Sequence, residues 1–362
     1  MAFRFLHTAD WQLGKPFAGF SPDLSSSLRD ARLAMIDRLA AAARQEGVQH
    51  VLVAGDVWDQ AMPSDRVLLQ PVDRMAAAAD LEWWLLPGNH DPAGPESLWQ
   101  RLAARGLPAN IHALVDATPV ALADDVMVLP APWTSKRPGR DTTEIFETMP
   151  TPAGVKRIGL AHGGVIGFGS DPDASHPIDP NRAEKSGLSY LALGDWHGTK
   201  EAGPRAWYAG TPEPDRFRNN EAGATLLVEE GQEQHPKRLP TKLFSWEMHQ
   251  ITAERGRDPH DLMRGVLDAD WPAHQRLLQI DLSGRLPIEE RRKLQMIERD
   301  LAARMAYLDW RDRGLEIAFS ADDTLDDHAD PVIAETARRL ACDEDREAKA
   351  ALLLLDDLLS AS

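Results

Sequence analysis

The chain has 362 residues, 43% hydrophobic and 27% charged, which excludes a largely disordered polymer and leaves room for a sizeable core. Its 57 acidic side chains outweigh 40 basic ones for a net charge of −17, so DNA or anionic membrane would be repelled unless bound cations or a basic patch intervene. Cys342, the only cysteine, excludes an intrachain disulfide and a thiolate metal site. Met1 to His7 is too short an apolar run for a signal peptide, and no stretch of about 18 apolar residues follows, so a cytoplasmic protein is expected.

From the start to about residue 230, short apolar runs alternate with helical patterns. Strands are expected at Phe3 to Leu6, Val51 to Ala54, Trp83 to Leu86, Val126 to Leu129, Ile158 to Ala161, Tyr190 to Leu193, Trp207 to Ala209 and Thr225 to Val228. Between the first two, Leu28, Leu33, Ile36 and Leu39 recur at near-helical spacing and predict a crossover helix over Leu28 to Gln45. The class is α/β. Near residue 240 the pattern changes. Strands are expected at Trp246 to Thr252 and Arg276 to Leu282, and helices at Pro259 to Leu267 and Ile288 to Met305, the second with Leu294, Ile297 and Leu301 on one face. Asp330-Pro331 reads as the start of a tail helix, and Ala350 to Leu355 with Leu358 and Leu359 ends it. The expected organisation is a catalytic domain over 1–240, a small α+β domain over 241–325 and a helical tail over 326–362.

Five polar clusters close expected strands. They are Asp10-Trp11-Gln12, Gly55-Asp56-Val57-Trp58-Asp59, Gly88-Asn89-His90-Asp91, His162-Gly163 and Gly194-Asp195-Trp196-His197-Gly198. In open α/β sheets ligands bind beyond the carboxyl ends of strands, where clusters far apart in sequence can meet. In this order the five resemble the signature blocks of calcineurin-like metallophosphoesterases. The resemblance implies a four-layer αββα sandwich, a capping domain after it, and a two-metal site hydrolysing a phosphate ester. Carried over residue by residue, it implies that Asp10 and His197 hold one ion, that Asp56 bridges, and that Asn89, His162 and Asp195 hold the other. His90 would stabilise the transition state and protonate the leaving oxygen, with Asp91 orienting its ring. Two positions depart from the pattern, which usually has His where this chain has Gln12 and Asp195. Both shift the ligand set toward oxygen, which favours Mn²⁺, or else Mg²⁺, over zinc. Alternatively Gln12 does not bind and leaves the first ion labile.

His7-Thr8-Ala9-Asp10-Trp11 with Leu13-Gly14-Lys15, and Trp207 to Glu213, further resemble the SbcD-type DNA repair exonuclease branch. That resemblance covers residues 1 to 230 well and only the architecture beyond. It implies a manganese-dependent nuclease for DNA ends working with an SMC-like ATPase of SbcC type, and leaves a homodimer open. The branch commonly carries His where Asp59 stands, and a supporting carboxylate is expected there. Two other readings stay open: a phosphodiesterase or phosphatase for small molecules, and a metal-poor DNA-binding scaffold. Trp11 and Trp196 either stack on unpaired bases or wall the site, the second being favoured because large aromatics mostly serve burial. Lys136, Arg137, Arg140, Arg216 and Arg218 could meet phosphates or lie on a solvated surface. His7 is expected to be a buried structural residue. The tail's Val332, Ile333, Leu340 and Leu352 to Leu355 either seat an ATPase coiled coil or fold back on the preceding domain.

Overall fold

The computed structural model describes residues 2–167, 177–218, 220–229, 235–254, 256–317, 331–342, 345, 347–348, 350–351 and 354–355. The chain divides into two compact units, Met1–Phe244 and Ser245–Ser362. In chain order the first runs β1 (Arg4–Thr8), α1 (Pro22–Glu46), β2 (His50–Val53), α2 (Asp65–Ala77), β3 (Glu82–Leu85), α3 (Leu98–Arg105), β4 (Ile111–Ala113), β5 (Val120–Ala123) and β6 (Val126–Ala131). A 3₁₀ turn at Thr142–Glu147 follows, then β7 (Lys156–His162), α4 (Arg182–Lys185), β8 (Tyr190–Gly194), β9 (Lys200–Gly203), β10 (Ala206–Tyr208), β11 (Ala224–Glu229) and β12 (Lys237–Pro240).

Two six-stranded sheets form, in the orders β12-β11-β1-β2-β3-β4 and β5-β6-β7-β8-β10-β9. Their central strands are parallel, and antiparallel strands close every edge except that of β4, which pairs parallel with β3. The central strands read as unbroken apolar runs because both of their faces are covered. Val51 and Val53 join the core under α1 and α2, while Leu52 and Ala54 join the core between the sheets. Ile158 and Leu160 face that same interior, and Ala161 packs outward against Phe146 of the 3₁₀ turn. The layers are therefore helix, sheet, sheet and a thin helical cover, the expected four-layer α/β sandwich.

α1 starts at Pro22, before the first expected apolar position, because Ser21 caps it through the Leu24 N–H and Pro22 suits the first turn. α2 is not apparent in the sequence because Pro71 lies inside it. The Val67 carbonyl, which residue 71 cannot bond, instead accepts the Trp58 indole N–H at 3.2 Å. That bond anchors the loop after β2 to a helix.

The second unit is a parallel sheet of β13 (Ser245–Ala253), β14 (Arg276–Leu286) and β15 (Tyr307–Ile317), with α5 (Pro259–Leu262), α6 (Arg264–Leu267) and α7 (Ile288–Arg304) packed on it. Leu294, Ile297 and Leu301 of α7 are buried, as their spacing predicts. The single helix expected over Pro259 to Leu267 is a pair of four-residue turns. Met263 at φ −89°, ψ 0° breaks it and drops its side chain into the core, and Gly265 weakens the helical preference beyond. α8 (Pro331–Cys342) follows. Asp330 and, in the expected tail run, Leu352, Leu353, Leu358 and Leu359 lie outside the described residues. No helix among the described residues is long and apolar enough to cross a membrane.

Inside the second unit the Arg276 guanidinium forks onto Glu247 at 2.9 and 2.6 Å. Burial pushes the Glu247 carboxyl up, but hydrogen bonds from His249 and Arg276 outweigh it and hold the pKa at about 2. A depressed folded pKa contributes stability above the ordinary value, and that stability is lost as pH falls toward 2. Glu247→Gln should cost on the order of 1 kcal/mol at pH 7, discounted for partial exposure, with the difference vanishing below about pH 2. Urea denaturation followed by tryptophan fluorescence across pH checks this; a pH-independent difference would refute it.

Candidate metal centre

The loops that close β1, β2, β3, β7 and β8 bring their polar clusters to one place. The backbone ladder of β1 and β2 continues past both strands: Asp10 N donates to Gly55 O, Gln12 N to Asp56 O and Leu13 N to Val57 O, at 3.1, 2.9 and 2.9 Å. Asp10, Gln12, Asp56 and Asp195 all adopt positive φ, at 53°, 42°, 54° and 105°. That conformation is costly without glycine, so strain gathers at the residues aimed inward. At Gly55 a Cβ would lie 2.3 Å from His162 Nδ1, which is why no side chain stands there.

Asp10, Asp56 and His162 are buried and each offers a ligand atom within 4.8 Å of the others. His162 Nδ1 donates to the Ala54 carbonyl at 2.9 Å, which turns Nε2 into the site. That nitrogen meets Asn89 Oδ1 at 2.8 Å, Asp56 Oδ1 at 3.5 Å and Asp195 Oδ1 at 3.9 Å. The Asp195 N–H donates to both Asp10 oxygens, at 3.0 and 3.2 Å. Burial pushes the Asp10 carboxyl up to about 6; His197 and His162 oppose that rise, and Asp56 and Asp195 add to it. Burial pulls His162 down, but the carboxylates of Asp56, Asp10 and Asp195 outweigh it and raise its pKa to about 9. Crowded carboxylates around one imidazole are a poor match for one another and a good one for a divalent cation, and oxygen with imidazole donors suit Mn²⁺ or Mg²⁺. The donor set therefore fits a divalent cation.

His90 N donates to Asp56 Oδ1 at 2.9 Å, and its ring Nε2 lies 3.9 Å from Asp56 Oδ2. Its Nδ1–H donates to the Asp59 carbonyl at 2.8 Å, so the ring is oriented by backbone. This corrects the role expected of Asp91. The Asp91 carboxylate is fully buried and accepts the Gly88 and Trp58 N–H groups at 2.7 and 3.0 Å, tying the loops after β2 and β3 together. Asp59 acts on the site through its main-chain carbonyl and not through the carboxylate expected to support it.

The remaining two expected ligands meet each other: Gln12 Nε2 lies 3.2 Å from His197 Nε2. Lys15 Nζ donates to Gln12 Oε1 at 3.0 Å and pairs with Asp215 Oδ2 at 2.8 Å. Asp215 also accepts from His197 Nδ1 at 3.2 Å and from Arg216. Burial pushes the Asp215 carboxyl up, but His197 and Arg216 outweigh it and hold it far below the usual carboxylate range. Nothing in Pro212-Glu213-Pro214-Asp215 distinguishes Asp215 in sequence, and its role is visible only through these contacts. The same holds for Arg32 of α1, whose buried guanidinium binds the Trp11 and Glu213 carbonyls at 2.6 and 2.8 Å and so clamps two site loops. His7 is buried between Tyr190 OH and the Leu193 carbonyl, and burial lowers its pKa to about 3, the structural role expected of it. Trp11 is core, bonded to Thr8. Trp196 is half-buried, with Lys200 and Arg218 each 6.0 Å from its ring centre.

The family model of calcineurin-like phosphoesterases matches residues 3–228. The chain belongs to this family. It is thus a metallophosphoesterase and, by class, a hydrolase. It is 27% identical over 215 residues to the uncharacterized metallophosphoesterase YhaO of Bacillus subtilis, covering 53% of this chain and 48% of that one. It is 28% identical over 260 residues to a subunit of the SbcCD nuclease of Rhodobacter capsulatus, covering 58% and 62%. Against the corresponding SbcCD nuclease subunit of Bacillus subtilis the identity is 24% over 261 residues, covering 62% and 65%. The chain thus spans about half to just under two thirds of the curated relatives it matches.

A metallophosphoesterase centre depends on glycine where loops touch. A Cβ on Gly88 would lie 2.2 Å from Asp56 Oδ1 and 2.5 Å from its N. Gly88→Ala should fold with a loss of about 1–3 kcal/mol and weaken Mn²⁺ binding by roughly tenfold or more. Denaturation and calorimetric Mn²⁺ titration read the two effects; unaltered Mn²⁺ affinity would remove Asp56 from the cation site.

Proposed function

We propose that this metallophosphoesterase is a DNA nuclease, hydrolysing phosphodiester bonds with two divalent cations, most favourably Mn²⁺. The observation that carries the reading is the buried group of Asp10, Asp56 and His162, with Asn89 and Asp195 against the same imidazole. In this reading Asp10 and His197 hold one cation, Asp56 is shared, and Asn89, His162 and Asp195 hold the second. Bound there, the cations would act as Lewis acids on the phosphate and lower the pKa of a water.

The chain's own residues do the rest. Because His90 Nδ1 is committed to the Asp59 carbonyl, only Nε2 is free, and its side chain is 40% exposed. A ring held in one tautomer beside the shared carboxylate is suited to protonating a leaving oxygen. Arg32, Asp91 and Asp215 hold the loops and rings in place. Lys200 and Arg218 around Trp196 are local cations on a chain of net charge −17, and they supply contacts that a DNA backbone needs. Two of the relatives carry the name of a nuclease subunit, which supports DNA as the substrate and an SbcC-type ATPase as the partner. The acidic charge favours a second reading, a small phosphodiester.

Labelled DNA and bis-p-nitrophenyl phosphate, each assayed with Mn²⁺, separate the two. DNA should be cleaved, and His90→Ala should lower the rate about 10²–10⁴-fold without changing the amount of Mn²⁺ bound. Hydrolysis of the small ester alone would overturn the nuclease reading. The unit from Ser245 onward is, in the same reading, a capping domain whose tail seats the ATPase. Removing residues 331–362 should abolish binding to an SbcC-type coiled coil while sparing small-ester hydrolysis; a truncated chain that no longer folds would refute docking by the tail.

A further inference from the structure

The polar groups around His197 close into a ring. Lys15 Nζ donates to Gln12 Oε1 at 3.0 Å, Gln12 Nε2 meets His197 Nε2 at 3.2 Å, His197 Nδ1 meets Asp215 Oδ1 at 3.2 Å, and Asp215 Oδ2 returns to Lys15 Nζ at 2.8 Å. Donor chemistry fixes the direction of every bond. An ammonium only donates, so the amide oxygen of Gln12 faces Lys15 and its N–H faces His197. A carboxylate only accepts, so the imidazole proton sits on Nδ1, toward Asp215. The lone pair on Nε2 then accepts from Gln12. With the proton on Nε2 instead, donor would face donor. Arg216 comes within 3.1 Å of the same Nδ1, but its guanidinium forks onto both Asp215 oxygens at 3.0 Å, and those bonds engage it.

Resting on the metal-centre reading above, we propose that the two cation positions are unequal by construction: the group of Asp56, Asn89, His162 and Asp195 binds tightly, while the Lys15–Gln12–His197–Asp215 ring opposes binding beside Asp10 and His197. A cation at the second position must take the His197 lone pair from the Gln12 amide. It can use the Gln12 oxygen only while sharing it with a positive charge. Lys15 cannot easily withdraw, because it is paired with a carboxylate whose side chain is only 2% exposed. A divalent ion there would also lie close to that ammonium. At the first position a cation displaces only the ring proton of His162, whose Nε2 faces the oxygens of Asn89, Asp56 and Asp195, and gains those oxygens. Filling of the second position then follows the free concentration of the cation, and hydrolysis that needs both ions is graded by it.

Calorimetric titration of the full chain with Mn²⁺, paired with electron paramagnetic resonance, tests this. One equivalent should bind first and give a mononuclear signal, and a second should bind roughly ten- to hundredfold more weakly and bring spin coupling. Lys15→Met and, separately, Gln12→His should tighten the weak phase and leave the tight one in place; Asn89→Ala should weaken the tight phase. Two equivalents of equal affinity in the parent chain, or a weak phase untouched by Lys15→Met, would overturn the inequality while leaving the metal centre standing. A chain that binds no Mn²⁺ would overturn the metal-centre reading and this inference with it.

Discussion

Like-charged groups are forced together in this protein where water cannot relieve them. Asp10, Asp56 and His162 are buried beside one another on loops of both sheets, with Asp195 next to them. Desolvation and mutual repulsion push the Asp10 proton affinity up, and the same carboxylates hold a proton on His162 well above neutrality. The arrangement is unfavourable for the chain alone. It persists because the surrounding backbone determines each position several times over.

That determination is mostly main chain. The ladder between β1 and β2 runs on through Asp10, Gln12 and Leu13, and Asp91 accepts two N–H groups across neighbouring loops. His162 is held by the Ala54 carbonyl of the opposite sheet and His90 by the Asp59 carbonyl. Both rings are thereby fixed with Nδ1 on a backbone carbonyl and Nε2 turned into the site, which is the condition for that nitrogen to serve as ligand or proton donor. Four non-glycine residues of the site sit at positive φ, so local strain is tolerated where the sheets and helices are most completely packed.

Arg32 extends the same logic into α1. A buried arginine is costly unless its donors are engaged, and here Nη1 and Nη2 reach the Trp11 and Glu213 carbonyls while Nε stays unpartnered. The helix thus couples the loop after β1 to the loop after β10. Glu213 and Asp215, two residues apart, face different work: Glu213 accepts from Arg38 and from the Leu243 and Phe244 N–H groups, and Asp215 orients His197.

The amino-acid sequence by itself determined the α/β class, the strands buried on both faces and the five loop clusters, because alternation and glycine-bounded polar clusters are local signals. His7 and Trp11 were legible as packing residues for the same reason. Edge strands such as β4 and β9 were not, since three or four residues leave too short a pattern, and α2 was hidden by Pro71. Only the tertiary structure decided which ring nitrogen of His90, His162 and His197 turns into the site, that Asp91 ties loops instead of holding His90, and that Lys15, Arg32 and Asp215 belong to the site. Those assignments depend on hydrogen bonds between groups as far as 185 residues apart, and a bond direction across such a span has no trace in local spacing.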